Sequence, residues 1–220
     1  MRTRLKICGI TQVEDARMVT ELGVDILGFN FYPGSPRYID PREAARIIAT
    51  LPPTVTTVGI LVNPTLEEAI GVLHLSQVNW LQLYLGPPHF PLEALDVPVI
   101  YCRRIGNGLA DFSLPEGADF LLLDAYHPQH LGGTGVAFNW DQIPSSLPRE
   151  RLILAGGIRP ENIREALHRV RPAIVDVASG AEQALGHKDP AKVSALQQAV
   201  LQFNLHLLEK QFVQQKDGTP

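Results

Sequence analysis

An aspartate that closes an apolar run is the residue of this sequence best placed for chemistry. Residues 120–123 are all apolar, and Asp124 follows them directly. Such a run without alternation is typical of a strand buried on both faces in a parallel sheet. Because catalytic groups of α/β proteins lie at the carboxyl ends of parallel strands, Asp124 is a candidate catalytic acid. The alternative is a helix cap or an ion pair at the edge of the sheet.

A cysteine ends the first predicted strand in a similar way. Cys8 follows residues 5–7, and a thiol beside cationic groups can ionise near neutral pH and act as a base or nucleophile. The alternative is a small buried hydrophobic residue, which is the commonest role of a free cysteine. Together, Cys8 and Asp124 indicate a base and an acid on either side of a substrate, as an isomerase that moves a proton between carbons would need.

Small residues follow the last two predicted strands. Gly156 and Gly157 come after the seventh, and Ser179 and Gly180 come after the eighth. Loops at these two places form the usual phosphate site of (β/α)₈ barrels, because glycine lets backbone N–H groups approach an anion. We therefore expect a phosphorylated small-molecule substrate, with ordinary turns as the alternative.

Four further polar residues are possible ligands. Arg37 lies in the loop after the second predicted strand, where it could bind a carboxylate through two parallel hydrogen bonds or remain a solvated loop residue. Gln82, near the end of the fourth strand, could contact substrate or fill the barrel. His127 and His130 are too sparse for a metal site, so no metal is expected.

Repeated strand and helix segments are needed to position these residues. Eight apolar strand segments alternate with helical or weakly helical segments at a period of roughly 25 residues, which predicts an α/β fold, a single (β/α)₈ TIM barrel. The barrel is expected over residues 1–212, with an apolar stripe of the last helix packed on the core and residues 213–220 as a disordered tail. The alternative, a doubly wound sheet, usually shows a G-x-G-x-x-G after its first strand, and this sequence has none there.

Composition excludes several classes of protein. The chain has 220 residues and a net charge of -4, which gives no electrostatic basis for binding nucleic acid. No apolar run approaches the ~20 residues needed to cross a bilayer, and the N-terminus does not resemble a signal peptide. Two cysteines far apart in sequence fit a reducing compartment. We therefore expect a cytoplasmic protein that binds neither membranes nor nucleic acid.

Strand alternation also predicts a buried ion pair. If Cys8 points into the barrel, Lys6 does so as well, and a buried ammonium needs a partner. The eighth strand closes the barrel against the first and carries Asp176 between two valines. We expect Lys6 and Asp176 to pair beneath Cys8 and to favour its thiolate. The alternative has Asp176 facing the helices or solvent and Lys6 extending to the rim.

Several of these segments form a set of short motifs in a fixed order. In sequence they are K-I-C-G-I-T (6–11), S-P-R-Y-I (35–39), L-L-D (122–124), G-G-T-G (132–135), L-A-G-G-I (154–158), and V-D-V (175–177) with Ser179, Gly180 and Glu182. The set resembles the phosphoribosylanthranilate isomerase family over nearly the whole chain.

This resemblance implies the third step of tryptophan biosynthesis from chorismate. The reaction is an Amadori rearrangement of N-(5-phosphoribosyl)anthranilate to 1-(2-carboxyphenylamino)-1-deoxyribulose 5-phosphate. It implies Asp124 as general acid, Cys8 as general base and Arg37 as ligand of the anthranilate carboxylate, with the last two loops on the phosphate. No metal or organic cofactor is implied, and the chain is expected to be a monomer or a homodimer.

The sequence departs from the family pattern in three places. The usual Q-L-H-G at the end of the fourth strand is replaced by Gln82-Leu83-Tyr84-Leu85-Gly86, Ala178 replaces a serine, and the last helix is longer. A related isomerase of histidine biosynthesis would carry a carboxylate at the position of Cys8, and indole-glycerol-phosphate synthase would need catalytic lysines at strand ends. A phosphate-binding barrel without turnover is the non-enzymatic alternative.

Overall fold

Eight parallel strands close into one barrel in chain order, which confirms the predicted (β/α)₈ fold. The computed structural model describes residues 2–86, 88–105, 112–125 and 139–217, with side chains described up to residue 212. The strands are β1 (Arg4–Cys8), β2 (Ile26–Asn30), β3 (Thr56–Val62), β4 (Trp80–Tyr84), β5 (Val99–Ile105), β6 (Phe120–Ala125), β7 (Leu152–Leu154) and β8 (Ile174–Val177).

The connections between strands are less regular than the predicted alternation. The α-helices of the described ranges are α1 (Val13–Glu21), α2 (Pro41–Ile48), α3 (Leu66–Ser76), α4 (Ile163–Val170) and α5 (Pro190–Asp217). Between β4 and β5 the described chain forms only the short 3₁₀ turn Leu92–Ala94. Two further 3₁₀ turns, Trp140–Gln142 and Arg149–Arg151, precede β7. The predicted G-G-T-G loop at 132–135, His127 and His130 lie outside the described residues.

Both faces of the strands are buried, which explains why the apolar runs do not alternate. One set of side chains fills the barrel interior, among them Ile26, Val58, Ile100, Leu122, Ile153 and Ile174. Their neighbours along each strand point outward and join the larger cluster beneath the helices, among them Leu27, Leu81, Tyr101, Leu121 and Val175. The polar side chains of the candidate site enter the interior toward the carboxyl ends of the strands.

A small hairpin after β8 was not predicted. After the 3₁₀ turn Ser179–Ala181, strands β9 (Glu182–Ala184) and β10 (His187–Lys188) pair antiparallel outside the barrel. The hairpin is held against the loop after β1, where the Thr11 hydroxyl donates a hydrogen bond to the Gly186 carbonyl at 2.8 Å. This contact brings two charged residues of the hairpin close to Cys8.

The last helix has one buried and one exposed apolar face. Val193, Leu196, Val200 and Phe203 are buried, as the core stripe predicted, whereas Leu201, Leu205, Leu208 and Phe212 are exposed. The helix continues to Asp217, so the predicted boundary at residue 212 falls inside it. None of the helices in the described ranges is both long and apolar enough to span a bilayer.

Candidate active site

The predicted acid and base end strands of the same barrel on the same rim. Cys8 is the last residue of β1, and Asp124 is the penultimate residue of β6. Because all eight strands are parallel, both side chains lie at the carboxyl end of the barrel. Tyr84, the last residue of β4, joins them: its hydroxyl donates a hydrogen bond to Oδ2 of Asp124 at 3.1 Å.

Asp124 is held as a weak acid by its surroundings. It is 4% exposed, and this burial raises the pKa of its carboxyl to about 6. The hydrogen bond from Tyr84 is the largest opposing effect, followed by the Ala125 N–H and the charge of Arg104, while the nearby Asp176 raises the pKa further. A carboxyl with such a pKa keeps its proton in a much larger fraction of molecules near neutral pH than an ordinary aspartate does, and it can donate that proton as a general acid requires.

The raised pKa of Asp124 predicts how the stability of the fold changes with pH. The pKa of Asp124 lies above its ordinary value of 3.8, so its contribution to stability is complete below pH 3.8 and is lost as pH rises through 6. Asn cannot ionise and avoids this loss. Relative to the wild type, the Asp124→Asn variant should therefore gain about 3 kcal/mol between pH 3 and pH 8, because a shift of one pKa unit corresponds to about 1.4 kcal/mol. Urea unfolding at a series of pH values measures it, and a pH-independent difference would contradict it.

The predicted ion pair beneath Cys8 is confirmed. Lys6 Nζ donates to both carboxylate oxygens of Asp176 at 2.9 Å, and the two residues are register partners across β1 and β8. Lys6 is completely buried. Burial is the largest single effect and would lower the pKa of Lys6, but the charge and hydrogen bonds of Asp176 together with the two nearby cysteines outweigh it. The pKa is therefore raised and the ammonium stays charged.

Cys8 is less acidic than the sequence argument suggested. Lys6 does favour the thiolate, as expected, but burial has the larger effect and raises the pKa of the Cys8 thiol above its ordinary value. Gly28 of β2 was missed as part of this arrangement. A side-chain carbon there would lie 3.1 Å from both the Cys8 sulfur and Lys6 Nζ, so glycine keeps the space between the strands open for them.

Arg37 is placed close to Cys8 but is already paired. Its Nε and Nη2 donate to the two carboxylate oxygens of Glu182 at 2.7 Å each, and these hydrogen bonds raise the pKa of Arg37. Lys188 Nζ donates to Glu182 at 2.8 Å and to the Cys8 carbonyl at 2.7 Å. Glu182 and Lys188 come from the unpredicted hairpin, so this buried cluster carries one net positive charge beside the thiol.

The two predicted phosphate loops touch each other. Gly156 and Gly157 adopt positive φ values of 82° and 67° after β7, a conformation that favours glycine. A side-chain carbon at Gly180 would lie 1.9 Å from the Ile158 carbonyl oxygen, so the turn that begins with Ser179 packs directly on the loop after β7. The loops thus form one continuous backbone surface with few side chains, which suits an anion.

Gln82 lies inside the barrel, below Tyr84 on β4. It is 1% exposed, and within the described part of the chain its Oε1 has no hydrogen-bond partner. Its role in substrate binding stays a prediction. Across the described ranges, no group of three or more His, Cys, Asp or Glu side chains is arranged to hold a metal ion.

A closed parallel barrel with an acid, a thiol and two glycine loops on its carboxyl rim defines a (β/α)₈-barrel enzyme. A sequence profile described as "PRAI: N-(5'phosphoribosyl)anthranilate (PRA) isomerase" matches residues 5–199. The chain therefore belongs to the N-(5'-phosphoribosyl)anthranilate isomerase family and is an isomerase.

Individual relatives agree with this assignment. An N-(5'-phosphoribosyl)anthranilate isomerase of Pseudomonas putida KT2440 is 44% identical over 202 residues, covering 90% of this chain and 98% of the relative. The crystal structure of phosphoribosyl anthranilate isomerase from Thermus thermophilus superposes with a TM-score of 0.80 at 36% identity, covering 91% of this chain and 99% of that one. A phosphoribosyl anthranilate isomerase in complex with reduced 1-(o-carboxyphenylamino)-1-deoxyribulose 5-phosphate superposes with a TM-score of 0.70 at 32% identity, with the same coverage.

Proposed function

We propose that this chain converts N-(5'-phosphoribosyl)anthranilate to 1-(2-carboxyphenylamino)-1-deoxyribulose 5-phosphate in tryptophan biosynthesis. The observation that carries the proposal is the buried Asp124, a weak acid on the same rim as Cys8 and the two glycine loops. The names of the relatives support the substrate, as does the reduced product analogue bound to one of them.

In this mechanism Asp124 acts first. Its proton is transferred to the furanose ring oxygen, the bond between this oxygen and C1 breaks, and the anthranilate nitrogen supplies the electron pair that forms the iminium. Cys8, as thiolate, then removes the C2 proton, and the electrons of the C–H bond flow to the iminium to give an enolamine. Tautomerisation of the enolamine gives the ketone. The iminium itself accepts the electrons, so no metal or organic cofactor is needed.

The productive form of the enzyme pairs protonated Asp124 with ionised Cys8. Because the pKa of Asp124 is about 6 and burial raises that of Cys8, this form is a minor one between the two pKa values. In that range, raising the pH increases the fraction of ionised Cys8 and decreases the fraction of protonated Asp124 by the same factor. The rate should therefore not depend on pH there. Below pH 6 only the loss of thiolate remains and the rate should fall. The limb near pH 6 therefore reports the pKa of Asp124.

The proposed substrate has an anion at each end, and the rim offers a place for each. The backbone surface of Gly156, Gly157, Ser179 and Gly180 would take the phosphate. Arg37 would take the anthranilate carboxylate. Two of the five N–H groups of the Arg37 guanidinium donate to Glu182. The other three, on Nη1 and Nη2, can still donate two parallel hydrogen bonds to a substrate carboxylate.

Removal of Arg37 should mainly weaken binding. Arg37→Ala is expected to raise KM about 10–100-fold with a much smaller change in kcat, because the ion pair forms in the ground and transition states alike. Arg37→Lys should rescue only partly, since an ammonium lacks the planar fork. Glu182 keeps Lys188 as a partner in both variants, and their melting temperatures control for folding. Unchanged affinity for an anthranilate-containing product analogue in Arg37→Ala would place the carboxylate elsewhere.

A fluorescence assay tests the proposed function directly. Phosphoribosylanthranilate, made in the cuvette from anthranilate and phosphoribosyl pyrophosphate by an added phosphoribosyltransferase, should be consumed rapidly in the presence of the wild type and far more slowly in the presence of Asp124→Asn. No turnover with this substrate, but turnover of the aminoaldose phosphate of histidine biosynthesis, would favour the alternative isomerase. Turnover of neither, with phosphate binding intact, would favour a binding barrel. A cytoplasmic location, a monomeric or homodimeric state and the absence of binding to nucleic acid or membranes stay predictions.

A further inference from the structure

Tyr84 makes a contact with Asp124 that the reaction outlined above does not use. The residue ends β4, where the family pattern quoted from the sequence has histidine, and its hydroxyl donates to Asp124 Oδ2 at 3.1 Å. Burial, followed by the charge of Asp124, raises the pKa of Tyr84 well above its ordinary value. The phenol therefore keeps its proton over the working pH range and remains available as a hydrogen-bond donor.

The second carboxylate oxygen of Asp124 has a different environment. Oδ1 lies beside Gly156, and a side-chain carbon at that glycine would be 3.0 Å from it. The same carbon would lie 2.4 Å from the Ala125 nitrogen, so glycine allows the loop proposed to bind phosphate to lie this close to Oδ1 and the end of β6. Oδ2, in contrast, is occupied by the Tyr84 hydroxyl, so the two oxygens of one carboxyl group are distinguished by their neighbours.

We propose that Tyr84 is a positioning residue that reserves Oδ2 of Asp124 as a hydrogen-bond acceptor and leaves Oδ1 to carry the transferable proton. When the proton leaves Oδ1 for the ring oxygen, the carboxylate that remains is already hydrogen-bonded by Tyr84. This contact stabilises the charged product of the transfer and strengthens a buried acid. The inference rests on the proposed role of Asp124 as general acid.

Other groups also face Asp124 and set the background for a test. Arg104 and Cys102 belong to β5, and Asp176 belongs to β8. The Arg104 guanidinium also lies 5.7 Å from the centroid of the Tyr84 ring. Replacing Tyr84 with Phe keeps the ring and all of these groups and removes only the hydroxyl, so the variant isolates the hydrogen bond.

The experiment measures the titration of Asp124 in the enzyme without substrate. Aspartate labelled with ¹³C at the side-chain carboxyl is followed by NMR against pH, and the Asp124 signal is identified by its loss in Asp124→Asn. Removing a donor to the carboxylate favours the protonated form. In Tyr84→Phe the titration midpoint should therefore rise by about one pH unit, and the limb of the rate profile near pH 6 should move with it.

Two further variants test whether the change in the Asp124 midpoint is specific to the Tyr84 hydroxyl. Tyr101→Phe removes a buried hydroxyl on the neighbouring strand β5 that donates to the Gly86 carbonyl and accepts from Arg103 Nη1, and it should leave the Asp124 midpoint in place. Incorporation of 3-fluorotyrosine at position 84 makes the phenol a stronger donor at nearly the same size, and should lower the midpoint. This third measurement stands even if Tyr84→Phe folds poorly.

The outcomes separate this inference from the proposed function. An unchanged Asp124 midpoint in Tyr84→Phe overturns it, and a lower midpoint shows that Tyr84 accepts a hydrogen bond from the neutral carboxyl instead. Because the titration is recorded without substrate, a raised midpoint supports the contact even if phosphoribosylanthranilate is not turned over. A raised midpoint with an unmoved rate profile shows that Asp124 is not the acid of the reaction, and the proposed function then loses its general acid while the contact stands.

Discussion

Cys8→Ala and Asp124→Asn are each expected to reduce kcat by a factor on the order of 10²–10⁴, because each removes one of the two proton-transfer groups. The residual rate should also lose the part of its pH dependence that belongs to the missing group. Without Asp124, the rate should no longer level off above pH 6 but should keep rising with pH, because only the ionisation of Cys8 then sets it. Steady-state kinetics of purified variants over pH 5–9 provide the measurement, with melting curves to show that both variants are folded.

A matched variant distinguishes chemistry from packing. Cys102 is the other cysteine of the chain, 3% exposed in the barrel interior on β5, and burial raises the pKa of its thiol well above the ordinary value. Cys102→Ala should change kcat only a few-fold while costing stability through the cavity it leaves. Near-normal turnover in Cys8→Ala or Asp124→Asn would remove the roles proposed for them. If Cys102→Ala lost as much kcat as Cys8→Ala, the loss would reflect a barrel interior that tolerates no shortened side chain.

The site residues whose positions depend on the pattern of a single strand could be predicted from the sequence. A buried parallel strand is recognisable as an apolar run, and its end marks the rim, so Cys8 and Asp124 were found from their positions alone. The Lys6–Asp176 pair also follows from local rules. Strand alternation fixes which way each side chain points, and barrel closure makes β1 and β8 neighbours.

Contacts between distant elements could not be predicted in this way. The hydrogen bond from Tyr84 to Asp124 depends on how far β4 is staggered relative to β6, which no local pattern encodes. The hairpin that carries Glu182 and Lys188 is too short to give a periodic signal, so the partner of Arg37 was missed. Gly28 was missed because its importance lies in what surrounds it, the Cys8 sulfur and the Lys6 ammonium.

Loss of one partner from the ion pair beneath Cys8 should destabilise the fold strongly. Asp176→Asn leaves the buried Lys6 ammonium without a counter-charge, and the expected cost is about 3–5 kcal/mol in the free energy of unfolding. Glu165→Gln provides the control, because the Glu165–Arg169 pair on α4 has a similar distance of 2.7 Å but is 58% and 41% exposed. That exposed pair should contribute no more than about 1 kcal/mol. Urea unfolding of both variants at pH 7 gives the comparison.

Lys6→Met combines the same test with a readout at Cys8. Loss of the lysine leaves the Asp176 carboxylate buried and unpaired, so the variant should be destabilised as strongly as Asp176→Asn. Adding Asp176→Leu should recover much of the stability, since a buried pair replaced by apolar groups leaves no isolated charge. At the thiol, removal of the positive charge should move the pH profile of Cys8 alkylation to higher pH, because Lys6 opposes the effect of burial there. A wild-type melting temperature together with an unshifted alkylation profile would show that the pair neither supports the barrel nor tunes its base.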